Sequence, residues 1–152
     1  MSTPALPDGI VAVVKRDCPT CEIVAPVLAA IQATGLVLTV YTQDDPTFPS
    51  GTNPVDDTEL AFSYHHAIET VPTLLRVENG KEVARTEGWF RPAWEKLTGI
   101  DGLGPDLAEL RPGCGSLSVD EWGHTRREST GCRVTSDFMT TGGPGGNPRP
   151  YR

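Results

Sequence analysis

A Cys-X-X-Cys motif lies where a short apolar strand meets a helix, near the start of the chain. Ile10 to Val14 is β-branched and apolar on both faces, which predicts a buried central strand. The motif Cys18-Pro-Thr-Cys21 follows, and Glu22 to Ala33 has the pattern of a helix. Leu36 to Tyr41 repeats the apolar strand pattern. Strand, helix and strand in so short a span predict a βαβ unit.

The place of the motif at a helix start predicts reactive sulfur chemistry. Unpaired backbone N–H groups and the positive end of the helix dipole favour a thiolate at the first cysteine, Cys18. Pro19 has no N–H, so we expect the amides of Thr20 and Cys21 to donate to the Cys18 sulfur. Such a dithiol is suited to redox catalysis.

Charged residues beside the motif act on Cys18 in opposite directions. Asp17 would disfavour a thiolate, whereas Lys15 and Arg16 would favour it. The sequence leaves the balance between these effects open.

The rest of the first hundred residues alternates turn signals with helix and strand patterns. Gln43 to Asp57 is rich in Pro, Asp, Gly, Ser and Thr, which predicts an exposed loop. The dipeptide Asn79-Gly80 favours a type I′ turn and therefore a β-hairpin. A helix is expected from Glu59 to about Ile68, capped by Thr58, with Leu60, Tyr64 and Ala67 at helical spacing on its apolar face. The other elements expected here are strands Thr73 to Val77 and Glu82 to Thr86, a helix Arg91 to Leu97 stopped by Gly99, and a short helix Pro105 to Leu110.

Size and composition limit the class of protein. A chain of 152 residues with 38% hydrophobic content supplies one core, so we expect a domain at residues 1–102 and an extension at 103–152.

The net charge of -7, with thirteen basic residues spread along the chain, argues against nucleic acid as a partner. No signal segment or membrane span is evident near the start, which predicts a cytoplasmic protein without a membrane partner.

Over roughly residues 9 to 99 the chain resembles the thioredoxin superfamily. Cys18-Pro-Thr-Cys21-Glu-Ile-Val-Ala-Pro26 matches the Cys-X-X-Cys helix of that family. Ile68-Glu-Thr-Val71-Pro72-Thr73-Leu74, followed by Gly80, Val83 and Gly88, matches its cis-proline strand and hairpin. The resemblance implies an α/β thioredoxin-like fold, with a central mixed sheet of about four strands flanked by helices and an irregular C-terminal extension. It also implies that Val71-Pro72 is cis and faces the motif.

Two departures from the family pattern bear on mechanism and partner. Ala12 stands where thioredoxins bury a carboxylate that assists proton transfer. The Gly-Gly and acidic signature that binds glutathione is missing near Gly88-Trp89-Phe90, so glutathione is not expected to be the preferred partner.

The activity that the resemblance implies is thiol-disulfide exchange. Cys18 would be an exposed attacking thiolate, and Cys21 would resolve the mixed disulfide. The backbone of Val71 would pair with an extended substrate, and the substrate-binding residues would be Val71, Pro72, Pro19 and Thr20. The expected partners are disulfide-containing proteins or small thiols and an unidentified reductase or oxidase, and no cofactor or metal is expected.

A second pair of cysteines, Cys114 and Cys132, lies in Gly-flanked stretches of the extension. They would form a structural bridge, or a mobile second dithiol that passes electrons to or from Cys18 and Cys21, or else unpaired thiols or metal ligands. Glycines on both sides of Cys114 would suit a swinging arm. The alternative function is a metal-binding or redox-sensing adaptor with a partner-docking tail. Gly142 to Arg152 is expected to be disordered or ordered only by a partner.

Overall fold

The computed structural model of the protein describes residues 5–119 and 125–126. Its helices are α1 (Pro19–Ala33), α2 (Ala61–His65) and α3 (Arg91–Thr98). Its strands are β1 (Gly9–Val14), β2 (Leu38–Thr42), β3 (Val55–Asp56), β4 (Thr70–Val71), β5 (Thr73–Glu78), β6 (Lys81–Glu87), β7 (Trp89–Phe90), β8 (Leu110–Arg111), β9 (Cys114–Gly115), β10 (Ser118–Val119) and β11 (Thr125–Arg126).

A five-stranded mixed sheet forms the centre of the fold, in the order β3-β2-β1-β5-β6. Strand β1 is parallel to β2, with Ile10 opposite Leu38, and antiparallel to β5, with Val11 opposite Leu75. All but the first residue of β1 are buried, as its unbroken apolar pattern predicts. The mixed α/β sheet and the βαβ unit are therefore confirmed. A fifth strand is present because Val55–Asp56 pairs with the edge of β2.

The predicted hairpin is present and is closed at the predicted dipeptide. Asn79 and Gly80 have φ of 56° and 75°, and β5 pairs antiparallel with β6 on either side of them. A type I′ turn requires positive φ at both central residues, which is why Asn-Gly favours it. Helix α3 likewise ends at Gly99, in a left-handed conformation with φ of 77°.

The second helix is shorter than expected and has a different cap. The predicted cap, Thr58, is wrong: the carboxylate of Asp57 accepts hydrogen bonds from the amides of Phe62 and Ser63. Leu60 precedes the helix in a left-handed conformation, so the expected apolar face is broken there. Tyr64, expected on that face, is 73% exposed, and Phe62 is buried instead.

The loop expected at Gln43 to Asp57 is not uniformly exposed. Gln43, Phe48 and Asp57 are buried, and Val55–Asp56 forms β3. Phe48-Pro49 is one of two cis peptide bonds in the described residues. The composition of the segment predicts a lack of helix but carries no information on these tertiary contacts.

No helix forms at Pro105 to Leu110, and this prediction is wrong. Instead, the Arg91 guanidinium donates hydrogen bonds to the carbonyl oxygens of Leu103, Gly104 and Leu107. The Arg91 amide donates to Glu109, and β8 then pairs with β7. Carbonyl groups that a helix would use internally are thus bound by a side chain of α3.

Two tryptophans pack the extension against the central sheet. Trp89 and Trp94 are fully buried and meet edge to face, with ring centroids 5.0 Å apart. The Trp89 indole N–H donates to the carbonyl oxygen of Ala108. Leu103 and Leu117 of the extension are also buried. The first part of the extension therefore contributes to the hydrophobic core.

In the described part of the chain, no helix has the length and apolar character needed to cross a bilayer. The predictions for Cys132 and for the segment Gly142 to Arg152 concern residues outside the described ranges.

Candidate functional site

Cys18 lies immediately before the first residue of α1, at the N-cap position. Its backbone is extended, with φ of -159° and ψ of 110°, and its sulfur accepts a hydrogen bond from the Cys21 amide at 3.3 Å. Pro19 begins the helix, where its missing N–H costs no hydrogen bond. Of the two amides expected to donate to this sulfur, that of Cys21 does so at the start of the helix, where the helix dipole is positive.

Cys18 forms a disulfide with Cys114, 96 residues later in the chain. Their Cα atoms are 6.0 Å apart. Both cysteines are only 1% exposed. The expectation that Cys18 is an exposed thiolate is wrong for this form of the protein, because the extension covers the sulfur and bonds to it. The suggested bridge between Cys114 and Cys132 is likewise not the bond that Cys114 makes.

Cys114 is carried to Cys18 by strand pairing. Strand β9 pairs antiparallel with β4, with Cys114 opposite Val71 and Gly115 opposite Thr70. The Cys18 sulfur lies 3.8 Å from the carbonyl oxygen of Val71. The Val71-Pro72 bond is cis, as the resemblance implies. Thus Val71 does offer its backbone to an extended strand beside Cys18, and that strand belongs to the same chain.

Two side chains and one backbone carbonyl group hold the segment Pro112–Leu117, hereafter the docked segment. The Lys15 ammonium donates to the carbonyl oxygen of Gly115, and the Thr20 hydroxyl donates to that of Pro112 at 2.6 Å. The Ser116 amide donates to the carbonyl oxygen of Glu69. Of the residues expected to bind substrate, Thr20 and Val71 therefore contact the docked segment, Pro72 is buried next to β4, and Pro19 is exposed.

Gln43 connects the docked segment to α2 through a buried hydrogen-bond network. Its side-chain amide donates to the hydroxyls of Ser63 and Ser116, at 2.8 and 2.7 Å, and its oxygen accepts from the Leu117 amide at 3.0 Å. The Ser63 hydroxyl in turn donates to Asp57. Burial raises the pKa of the Asp57 carboxyl above its usual value. Each polar group of the Gln43 side chain has a partner, so its burial costs little.

Gly113 lies where the docked segment comes closest to the sheet. A Cβ atom at this position would stand 2.5 Å from Thr70 Cγ2, 2.7 Å from the Val71 carbonyl oxygen and 3.2 Å from the Cα of Gly88. Contacts this short between a Cβ and backbone atoms do not occur without movement of the chain. The glycines beside Cys114, expected to give flexibility, are buried here, and Gly113 permits close approach.

Cys21 is the free cysteine of the described residues and is fully buried. Burial raises the pKa of its thiol far above the usual value. A hydrogen bond from the Lys15 backbone and the charge of Lys15 act in the opposite direction, whereas the charges of Asp44 and Glu22 add to the rise. Cys21 is therefore held as a neutral thiol, and Lys15 is the nearby group that favours its ionisation.

Sequence reasoning identified the two motif cysteines but not most of the residues that hold the docked segment. In the sequence Lys15 is a positive charge near the motif, and in the structure its side chain is buried and bound to Gly115. Gln43 carries no motif signal, because an isolated Gln in a polar loop is ordinarily exposed. The Gly-Cys-Gly triplet around Cys114 was the one available signal, and its meaning depends on the strand it meets.

Among residues 5–119 and 125–126, no group of three or more His, Cys, Asp or Glu side chains is placed to hold a metal ion. In comparisons with known proteins, no protein-family model matches the chain and no curated protein matches it.

Proposed function

We propose that the protein is a thiol-disulfide oxidoreductase with a thioredoxin-like fold that acts through Cys18 and Cys21. The observation that carries this proposal is the bond between Cys18 and Cys114. A cysteine at a helix start is joined there to a cysteine on a strand paired beside it, and a free thiol follows within one helical turn. The mixed α/β sheet, with α1 directly after β1, is compatible with the fold family that the sequence resembles.

The exchange reaction proceeds in two displacements. In the reduced protein the Cys18 thiolate attacks one sulfur of a substrate disulfide, a Cys18–substrate bond forms, and the other substrate sulfur leaves as a thiolate. The Cys21 thiolate then attacks the Cys18 sulfur, which forms a Cys18–Cys21 disulfide and releases the second substrate sulfur as a thiolate. Two electrons pass from the protein to the substrate. An unidentified thiol reductase restores the dithiol, and an oxidase would drive the reverse direction.

The residues around the sulfurs divide the work between the two steps. The amide of Cys21 and the start of α1 stabilise negative charge on Cys18, which favours the first attack. Cys21 is buried and protonated, so it must lose a proton before the second attack. Lys15 favours that ionisation by its positive charge. Ala12, at the position of the family carboxylate, offers no proton acceptor.

Cys114 enters this scheme as a thiol that exchanges with Cys18, which supports an electron relay through the extension. The relay from Cys114 to Cys132 is part of the proposal, and Cys132 lies outside the described residues. A redox-sensing adaptor is the second candidate, and the burial of both bonded sulfurs favours it. A sensor would form and lose this disulfide cleanly but turn over substrates slowly.

Reduction of insulin disulfides by dithiothreitol, with and without the protein, tests the proposal. Cys18→Ser should abolish the acceleration. The triple variant Cys21→Ser, Cys114→Ser and Cys132→Ser has no second thiol to resolve the bond, so it should accumulate a mixed disulfide with the substrate that mass spectrometry detects. Val37→Ser is the control, because Val37 is 63% exposed and lies outside the site. Retained acceleration in Cys18→Ser would remove Cys18 from the mechanism. A cleanly titrating disulfide without acceleration in the wild-type protein would favour the sensor.

A further inference from the structure

The docked segment meets the site as an extended peptide and is bound mainly through its backbone. Val71 and Thr70 pair with Cys114 and Gly115 as neighbouring strands do. Lys15 and Thr20 donate to main-chain carbonyl oxygens of the segment, and the carbonyl of Glu69 accepts from a main-chain amide. Bonds to the backbone are available to any extended peptide, so they give affinity without choosing a sequence.

Unlike these backbone bonds, the space around the residue immediately before the reacting cysteine restricts which residue type can bind. A Cβ at Gly113 would overlap Thr70 Cγ2 and the Val71 carbonyl oxygen. The backbone is close on the other side as well, since a Cβ added at Gly88 would stand 3.0 Å from the Gly113 nitrogen. The Gly88 amide also donates to the carbonyl oxygen of Pro72, the residue directly after β4, and this bond holds Gly88 in place. No flexible side chain is available to make room on the Val71 and Gly88 sides.

We propose that the docked segment is an intramolecular substrate of Cys18, and that the site accepts extended disulfide substrates in which glycine immediately precedes the reacting cysteine. This rests on the proposed function, because it assigns the substrate class of the same site. The docked segment then competes with outside substrates. It covers Cys18, occupies the edge of β4, and must leave before another strand can pair there.

Release of the segment needs no outside oxidant or reductant. The Cys21 thiolate attacks the Cys18 sulfur, a Cys18–Cys21 bond forms, and the Cys18–Cys114 bond breaks. The electron pair of the broken bond goes to Cys114, which takes up a proton to replace the one that Cys21 lost. One disulfide is exchanged for another, and an outside thiol then reduces Cys18–Cys21 to open the site for substrate.

Peptides with the sequence of residues 111–116 test the preference for glycine directly. Each carries its cysteine as a mixed disulfide with 2-thiopyridine, so attack on the cysteine sulfur releases pyridine-2-thione, which absorbs light. The protein is the full chain with Cys21→Ser, Cys114→Ser and Cys132→Ser, which leaves Cys18 as its one thiol. One peptide has the natural sequence, a second has Gly113→Ala, and a control has Arg111→Gln. Reaction with N-acetylcysteine corrects for the intrinsic reactivity of each peptide.

The natural peptide should react about tenfold faster than the Gly113→Ala peptide, the penalty expected for an extra methyl in a packed site. The Arg111→Gln peptide should match the natural one, because Arg111 is exposed. Equal corrected rates for all three peptides would overturn the inference while leaving the exchange activity intact. If the protein reacts with every peptide no faster than N-acetylcysteine does, the result would instead count against the proposed function.

A second measurement does not depend on the triple variant. In full-length Cys21→Ser, non-reducing peptide mapping after equilibration in a glutathione buffer should find Cys18 joined to Cys114. Adding Gly113→Ala should lower that fraction several-fold and raise the fraction of Cys18 joined to glutathione. An unchanged fraction would show that the close approach at Gly113 does not govern docking, and would overturn the inference.

Discussion

The Lys15 ammonium donates a hydrogen bond of 2.5 Å to the carbonyl oxygen of Gly115, a residue 100 positions later in the chain. Lys15 follows β1 and is 1% exposed, so this bond forms where water competes little. The same charge favours ionisation of the Cys21 thiol. One buried cation thus holds the docked segment and acts on the thiol that would release it.

Lys15→Met should weaken docking of the extension. The variant keeps an apolar side chain of similar length but removes a charged donor, and such bonds are worth about 1.5–3 kcal/mol. We expect the ratio of Cys18–Cys114 to Cys18–Cys21 disulfide to fall about tenfold or more, as measured by non-reducing peptide mapping at equilibrium. Arg16→Gln is the control, because the Arg16 side chain is exposed and pairs with Asp45. The same ratio in Lys15→Met and wild type would contradict this role.

Release of Cys114 by Cys21 should accelerate with pH. Burial raises the pKa of Cys21, so at neutral pH nearly all of it is thiol, and each added pH unit raises the thiolate fraction about tenfold. The rate, followed by acid quenching and mapping of the two disulfides, should rise without a plateau up to the ordinary thiol pKa of about 8.5. A plateau below that pH would mean that the Cys21 pKa is not raised. Reaction of Cys18 with a small disulfide in Cys21→Ser, Cys114→Ser and Cys132→Ser protein is the control, because that reaction does not use the Cys21 thiol.

Gln43→Leu should destabilise the protein by about 3 kcal/mol. The substitution removes the acceptor of the Leu117 amide and the donor to the Ser63 and Ser116 hydroxyls. These groups remain buried without that hydrogen bond. Each buried polar group that loses its partner costs about 1–3 kcal/mol. Urea unfolding measures the loss. Gln32→Leu is the matched control, because Gln32 is half-buried and makes a long 3.5 Å contact with Thr52, and a similar loss there would refute the network.

Asp57→Ala should lower the free energy of unfolding by about 2 kcal/mol, the upper range for loss of a helix cap. The Asp57 carboxylate accepts from two amides at the start of α2 and from the Ser63 hydroxyl. Asp56→Ala is the control, because Asp56 is exposed and its carboxylate accepts a hydrogen bond from Thr58, outside the helix. Urea unfolding of the two variants should differ clearly. Equal stabilities would mean that Asp57 is not the cap.

Local patterns were sufficient for the elements whose causes are local. The apolar run of β1, the Pro19 helix start, the Asn79-Gly80 turn and the Gly99 stop each depend on neighbouring residues, and each is present. The failures have tertiary causes. The start of α2 depends on Asp57, which is held by pairing of the preceding strand, and the missing helix at Pro105 loses its carbonyl groups to Arg91.

The sequence by itself determined that Cys18 lies at the start of a helix, after a buried strand, because dipole, cap and hydrophobic pattern all act over a few residues. Only the tertiary structure decided which sulfur Cys18 meets. Disulfide bonding needs Cα atoms within about 7 Å. Pairing of β9 with β4 brings Cys114 to 6.0 Å, across 96 residues of chain. Spacing along a sequence carries no such distance, so the docked segment becomes visible only once the strands have paired.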